Sequence, residues 1–163
     1  MSRRAAAVGL AAIGLAVSVY LAAYQTHLLA AVWDPVFGSA SSERVLRSAL
    51  SRALPVPDAL LGGLAYAGEV AIGLWVLRGA ARLVLLAYAA LAGGMALVSV
   101  GLVAMQLLVV HHLCLLCLVS AVVSWAVAAL VLPEGLAALG HHRHEQAGGL
   151  AGQQRRPEAV RRP

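Results

Sequence analysis

Lysine is absent from this chain of 163 residues, and charge of either sign is scarce: 12% of residues are charged and 61% hydrophobic. A soluble domain averages about 25% charged and roughly 45–50% apolar residues. Half the usual charge cannot keep a globule of this size wet on its outside. A soluble enzyme, a nucleic-acid module and a disordered chain are therefore poor readings, despite a net charge of +5. Cysteine is also scarce. Two cysteines exclude a disulfide scaffold, so any meaning they carry lies in their spacing. The length suits one compact unit.

What is present is apolar and blockwise. Four runs are each long enough to cross a bilayer, which takes about 20 helical residues: Ala5 to Leu29, Ala59 to Leu77, Leu83 to Val110 and Leu113 to Leu132. The first follows Ser2-Arg3-Arg4 as a signal peptide would, but it outruns the usual roughly 7–15 apolar residues and reads as a span. Gly62-Gly63 and Gly93-Gly94 are candidate close contacts between helices. The expected fold is all-α: an integral membrane four-helix bundle over residues 1–134, followed by a disordered Arg/His-rich tail over 135–163.

Every basic residue is arginine, and arginine sets the expected orientation. Arg3 and Arg4, Arg78 and Arg82, and Arg143, Arg155, Arg156, Arg161 and Arg162 fall on one side; Arg44, Arg47 and Arg52 fall on the other. Positive charge favours the cytoplasmic face, so both termini are expected there, in a multi-pass protein of the cell membrane. The long loop from Ala30 to Asp58 then faces outside. Within it, Ser42 to Leu54 reads as a short amphipathic extracytoplasmic helix, with Val45, Leu46, Ala49, Leu50 and Leu54 on one face. Ser41 or Ser42 is expected to cap it and Asp58 to cap the second span. Its apolar side is expected to cover the outer mouth of the bundle.

The fourth run opens with His111-His112-Leu113-Cys114-Leu115-Leu116-Cys117. Cysteines at i and i+3 of a helix share a face, so they can close a disulfide or hold a redox equilibrium, and a helix N-terminus favours a thiolate. In the expected orientation the pair lies near the extracytoplasmic face, with Cys114 within reach of an outside thiolate and Cys117 one turn deeper. An inert, packed CxxC is the plain alternative. A c-type haem site needs His directly after the second cysteine, where Leu118 stands. Zinc suits the residue types, but adjacent histidines about 100° apart on a helix do not converge on one tetrahedral site, so no metal ligand is assigned. His112 is a lipid-interface residue or a proton carrier. Glu69, in the middle of the second span, either takes a proton during redox chemistry or bonds a neighbouring helix in its neutral form.

Four spans, Ser42-Glu43-Arg44-Val45-Leu46-Arg47-Ser48 in the loop, Leu61-Gly62 with Ala65-Tyr66, and a CxxC followed by Leu118-Val119-Ser120-Ala121 together resemble the vitamin K epoxide reductase family, in its bacterial quinone-coupled branch. The resemblance covers about residues 8 to 132. It implies a membrane thiol-disulfide oxidoreductase that passes electrons from thiols through Cys114 and Cys117 to a quinone, menaquinone or ubiquinone, in support of disulfide-bond formation. Cys117 would face the quinone and Cys114 exchange with a thiol donor, such as a DsbA-like thioredoxin-fold protein. Ser48 matches a family serine near the site, and Asp58 lies where vertebrate members place a quinone-bonding Asn. Tyr66, Glu69 and His112 complete the candidate quinone-binding set. The family's loop cysteine pair is missing: its second member falls at Ser42 and its first near Trp33 to Pro35. A vertebrate tyrosine beyond the CxxC is replaced by Ala121. The alternative function is a non-catalytic membrane interaction, redox-sensing or metal-binding module; either way the lipid bilayer is a partner and nucleic acid is not.

Overall fold

A computed structural model describes residues 2–48, 57–79 and 81–159, with side chains to residue 140. Five helices account for it: α1 (Arg3–Gln25), α2 (Ser39–Leu46), α3 (Asp58–Leu77), α4 (Arg82–Met105), which runs on as a π-helical turn Gln106–Val110, and α5 (Leu115–Ala159). Four stretches are long and apolar enough to span a membrane: Arg3–Gln25, Asp58–Leu77, Arg82–Val110 and Leu115–Gly140. They match the four runs read from the sequence, and the chain is an all-α, multi-pass membrane bundle. The helical backbone of α5 continues through residues 135–159, the stretch that the sequence reading sets apart as a tail.

Helix α1 packs against α3 and α5, α5 packs against α4, and α3 meets α4. The core between them is made of Ala7, Ala11, Tyr66, Tyr88, Ala92, Val127 and Val131. Small residues set the spacing. A Cβ on Gly14 would lie 2.4 Å from the Tyr66 ring, and one on Gly135 would lie 2.5 Å from the Ala89 methyl. Only glycine lets these backbones approach so closely. Gly62 and Gly63 face Ser18 of α1 as expected, and Gly93 meets Leu132, whereas Gly94 faces open space. Leu64, Trp75, Leu83 and Leu97 are exposed along the spans, a pattern suited to contact with lipid rather than water. At the end of the bundle away from the loop, Arg4 pairs with Glu134 at 2.7 Å, and Arg82 donates to the Ala138 carbonyl.

The loop helix departs from the expected register. It starts at Ser39, three residues early, and ends at Leu46 with Arg47 as its C-cap. Ala49, Leu50, Ser51, Arg52 and Leu54, assigned to it from the sequence, lie outside the described residues. Its N-cap is Gly38 at φ 82°, not Ser41 or Ser42. Both serines are engaged elsewhere: Ser41 Oγ donates to the Leu113 carbonyl at 2.8 Å, and Ser42 Oγ to Asp34 Oδ2 at 2.5 Å. The expected covering role is nonetheless visible. Val45 and Leu46 are buried in a second cluster with Leu21, Tyr24, Val32 and Cys114, which closes the loop-bearing end of the bundle.

Candidate functional site

The two cysteines sit where α5 begins. The sequence reading places both inside the helix; the structure starts the helix at Leu115 and leaves residues 111–114 as an irregular connection. His111 there takes a left-handed φ of 53°, which turns the chain from the π-helical end of α4 into α5. Cys114 is thereby the N-cap. Its carbonyl accepts from the Leu118 amide at 3.0 Å and its sulfur from the Cys117 amide at 3.3 Å. Serine and threonine side chains cap helices through the same contact to the third helical amide, so the Cys114 sulfur lies in the positive field of the helix N-terminus. Both cysteines are free thiols.

Two residues that sequence reasoning did not single out as site residues hold this start in place. Gln106, 3% exposed, accepts the Cys114 amide on Oε1 at 2.9 Å. Asp34, 7% exposed, accepts the Leu115 amide on Oδ2 at 3.0 Å. Helix-terminal amides have no partner within the helix, so these two side chains satisfy groups that would otherwise be orphaned. Each carried a faint signal: Gln106 is a polar residue inside a long apolar run, and Asp34-Pro35 is a turn dipeptide amid Trp33, Val36 and Phe37.

Electrostatics at this corner favour a thiolate. The Cys114 thiol is held below its ordinary value, chiefly because the Cys117 thiol hydrogen-bonds it. Burial opposes this, the Ser42 hydroxyl and the Cys117 amide assist, and the Asp34 charge works against it. For Asp34, burial alone would raise the carboxyl. Hydrogen bonds from the Leu115 amide, the Ser42 hydroxyl and the Phe37 and Val36 amides outweigh it and hold the group below its usual value.

Cys114 is not open to the outside as expected: no part of it is solvent-accessible. The loop lies over it. Cys117, one turn on, is partly exposed. It lines a small hollow with Leu46, Asp58, Gly62 and Ser120. Asp58, Gly62, Ser99, Leu102 and Ser120 also line an adjoining cavity of about 580 Å³ between α3, α4 and α5. Tyr66, Leu61, Met95, Val98 and Ser124 complete its wall. A volume of roughly 300–1,000 Å³ with apolar walls and a few polar groups is usual for a small-molecule site.

The candidate residues divide accordingly. Asp58 lies at the junction of the cavities. It is the first residue of α3, with Pro57 rather than Asp58 as the N-cap; its Oδ1 accepts from Gln25 Nε2 at 2.5 Å and from the Ala59 amide at 2.8 Å. Tyr66 borders the large cavity, its hydroxyl 2.7 Å from both the Ser120 carbonyl and Ser124 Oγ. Ser48 lines a smaller hollow shared with Asp58, Gln106 and Cys117. His112 stands apart at the surface, its Nε2 2.9 Å from Arg44 Nη1. Glu69 lies deeper in α3, fully buried, with neither carboxyl oxygen partnered.

A sequence model of the vitamin K epoxide reductase family matches residues 5–132 of the chain, from the start of α1 into the middle of α5. No curated protein matches it.

Proposed function

The chain belongs to the vitamin K epoxide reductase family, which places it among membrane thiol-disulfide oxidoreductases, and from that premise we propose that it transfers electrons from thiols through Cys114 and Cys117 to a quinone. One observation carries this reading. Cys117 lines the hollow that adjoins the large apolar cavity, while Cys114 caps α5 on the loop side. Cys117 thus borders the space a lipophilic ligand would occupy, while Cys114 lies beneath the loop, on the side from which a donor thiol would come once the loop opens.

The cavity fits a quinone ring: its wall is apolar, with the rotatable Ser99, Ser120 and Ser124 hydroxyls as the donors that would hold carbonyl oxygens; the Asp58 carboxylate only accepts, and the Tyr66 proton goes to the Ser120 carbonyl. A bound quinone, menaquinone or ubiquinone, supplies an acceptor for two electrons and two protons. The chain's own part is thiol chemistry. A donor thiolate attacks the Cys114 sulfur of the Cys114–Cys117 disulfide, and Cys117 leaves as a thiolate. A second donor thiolate then attacks its own sulfur in the mixed disulfide and Cys114 leaves, its departure favoured by its lowered pKa. The donor is left as a disulfide and the CxxC as a dithiol. Reoxidation closes the Cys114–Cys117 bond and delivers both electrons and both thiol protons on the cavity side. Tyr66 orders the wall through its hydroxyl bonds to Ser120 and Ser124.

A DsbA-like thioredoxin-fold protein on the extracytoplasmic side is the proposed donor, with both termini cytoplasmic. Trapping tests the scheme. Presented with the donor in its disulfide form, Cys117→Ser should accumulate a mixed disulfide, as the Cys114 thiolate attacks that bond and the donor's other sulfur leaves, and Cys114→Ser should not; absence of any adduct in Cys117→Ser counts against the assignment. The burial of Cys114 favours a second reading, a non-catalytic redox-sensing module, which predicts no adduct in either variant.

A further inference from the structure

The Asp34 carboxylate has a hydrogen-bond donor at each of four positions, and these come from three separate pieces of chain. Oδ1 accepts the Val36 amide at 3.0 Å and the Phe37 amide at 2.8 Å, which folds the loop into a turn. Oδ2 accepts Ser42 Oγ of α2 at 2.5 Å and the Leu115 amide of α5 at 3.0 Å. One side chain therefore joins the loop, the lid helix and the first turn of the cysteine helix. Asp34 is 7% exposed, and both Ser42 and Cys114 are fully enclosed. A buried carboxylate with all its acceptor sites filled is costly to pull apart, because opening must leave charge or amides without partners.

We propose that Asp34 is a positioning residue for thiol exchange, a clamp that fastens the loop over Cys114, so that a thiol reaches Cys114 only when the clamp releases. The inference rests on the assignment of Cys114 to exchange, but it concerns access rather than turnover. Released, the loop uncovers the Cys114 sulfur at the helix N-terminus; closed, the loop leaves Cys117 as the cysteine of the pair with exposed surface, lining the small hollow. The clamp thus keeps the Cys114–Cys117 disulfide from reacting with whichever thiol happens to be nearby. The exposed Arg44–His112 contact at the same corner is no part of it, since an exposed pair contributes little.

Access can be read with no quinone or donor present. In the Cys117→Ser background, reduced and reconstituted in lipid, the probe is an impermeant charged methanethiosulfonate and the readout is the rate of Cys114 modification at alkaline pH, where the thiol is ionised in every variant and loss of the Asp34 charge does not itself raise the rate. Asp34→Ala should raise that rate about tenfold or more, the change in opening expected when charge-assisted hydrogen bonds are lost. Ser42→Ala, which severs the tie to α2 and also removes the hydroxyl beside Cys114, should raise it less, and Arg44→Ala should leave it unchanged. A folded Asp34→Ala protein that reacts at the parental rate overturns the proposal. Where Asp34→Ala does not fold, Ser42→Ala and Asp34→Asn decide it, and parental rates in both overturn it equally. Faster modification combined with no adduct in the trapping experiment leaves the clamp standing and removes the oxidoreductase reading.

Discussion

Cys114 owes its chemistry to a cap rather than to a place within a helix. Its sulfur accepts an amide proton at the start of α5 and a thiol proton from Cys117, and both interactions favour the anion. Because the folded thiol titrates lower than an ordinary one, its thiolate fraction rises at a lower pH than an ordinary cysteine's and falls away on acidification. Modification of Cys114 in reduced protein should follow that curve, and Cys117→Ala should move the midpoint upward by removing the main cause. An unmoved midpoint would assign the effect to the helix terminus instead. Glu69 makes a second test at this scale. A buried carboxyl without partners is a cost to the fold, so Glu69→Leu should raise the thermal midpoint in detergent. A fall would mean that the carboxyl has a partner or a packing role. Gly14→Ala should go the other way, by roughly 1–3 kcal/mol, because its methyl would overlap the Tyr66 ring.

At the scale of elements, the spans were legible and the lid was legible only in outline. Long apolar runs have one solution in lipid, the helix, so hydropathy alone located α1, α3, α4 and α5. The lid has no such constraint. Its apolar pair Val45 and Leu46 was readable, but its start was not, since Ser41 and Ser42 look like caps and are instead spent on Leu113 and Asp34. Those partners lie far along the chain for Ser41 and eight residues back for Ser42, and no local pattern encodes them. The same holds for Cys114: the π-helical turn and the left-handed His111 delay α5 until Leu115, and Gln106 becomes visible as a ligand of the Cys114 amide only once that turn has formed. Burial of Val45 and Leu46 contributes roughly 1.5–3 kcal/mol for each. Leu46→Asp should therefore reduce membrane yield and weaken ligand binding in the cavity behind it; binding and yield at parental levels would show that α2 does not close the site.

For the whole molecule, membership of the family and the four-helix membrane fold follow from the match and the architecture, whereas direction across the membrane rests on arginine. In a background lacking native cysteines, Ser39→Cys should react with an impermeant reagent in intact cells, and Gly140→Cys only after permeabilisation. The reverse would put the CxxC on the reducing side and remove a disulfide-forming role. The central claim is that this chain couples a thiol donor to a lipophilic acceptor with only two cysteines, Cys114 and Cys117. Dithiol-dependent quinone reduction by the purified protein in lipid measures it most directly. The account predicts turnover that is lost in both Cys114→Ser and Cys117→Ser; no turnover with menaquinone or ubiquinone analogues, from either small or protein dithiols, would contradict it.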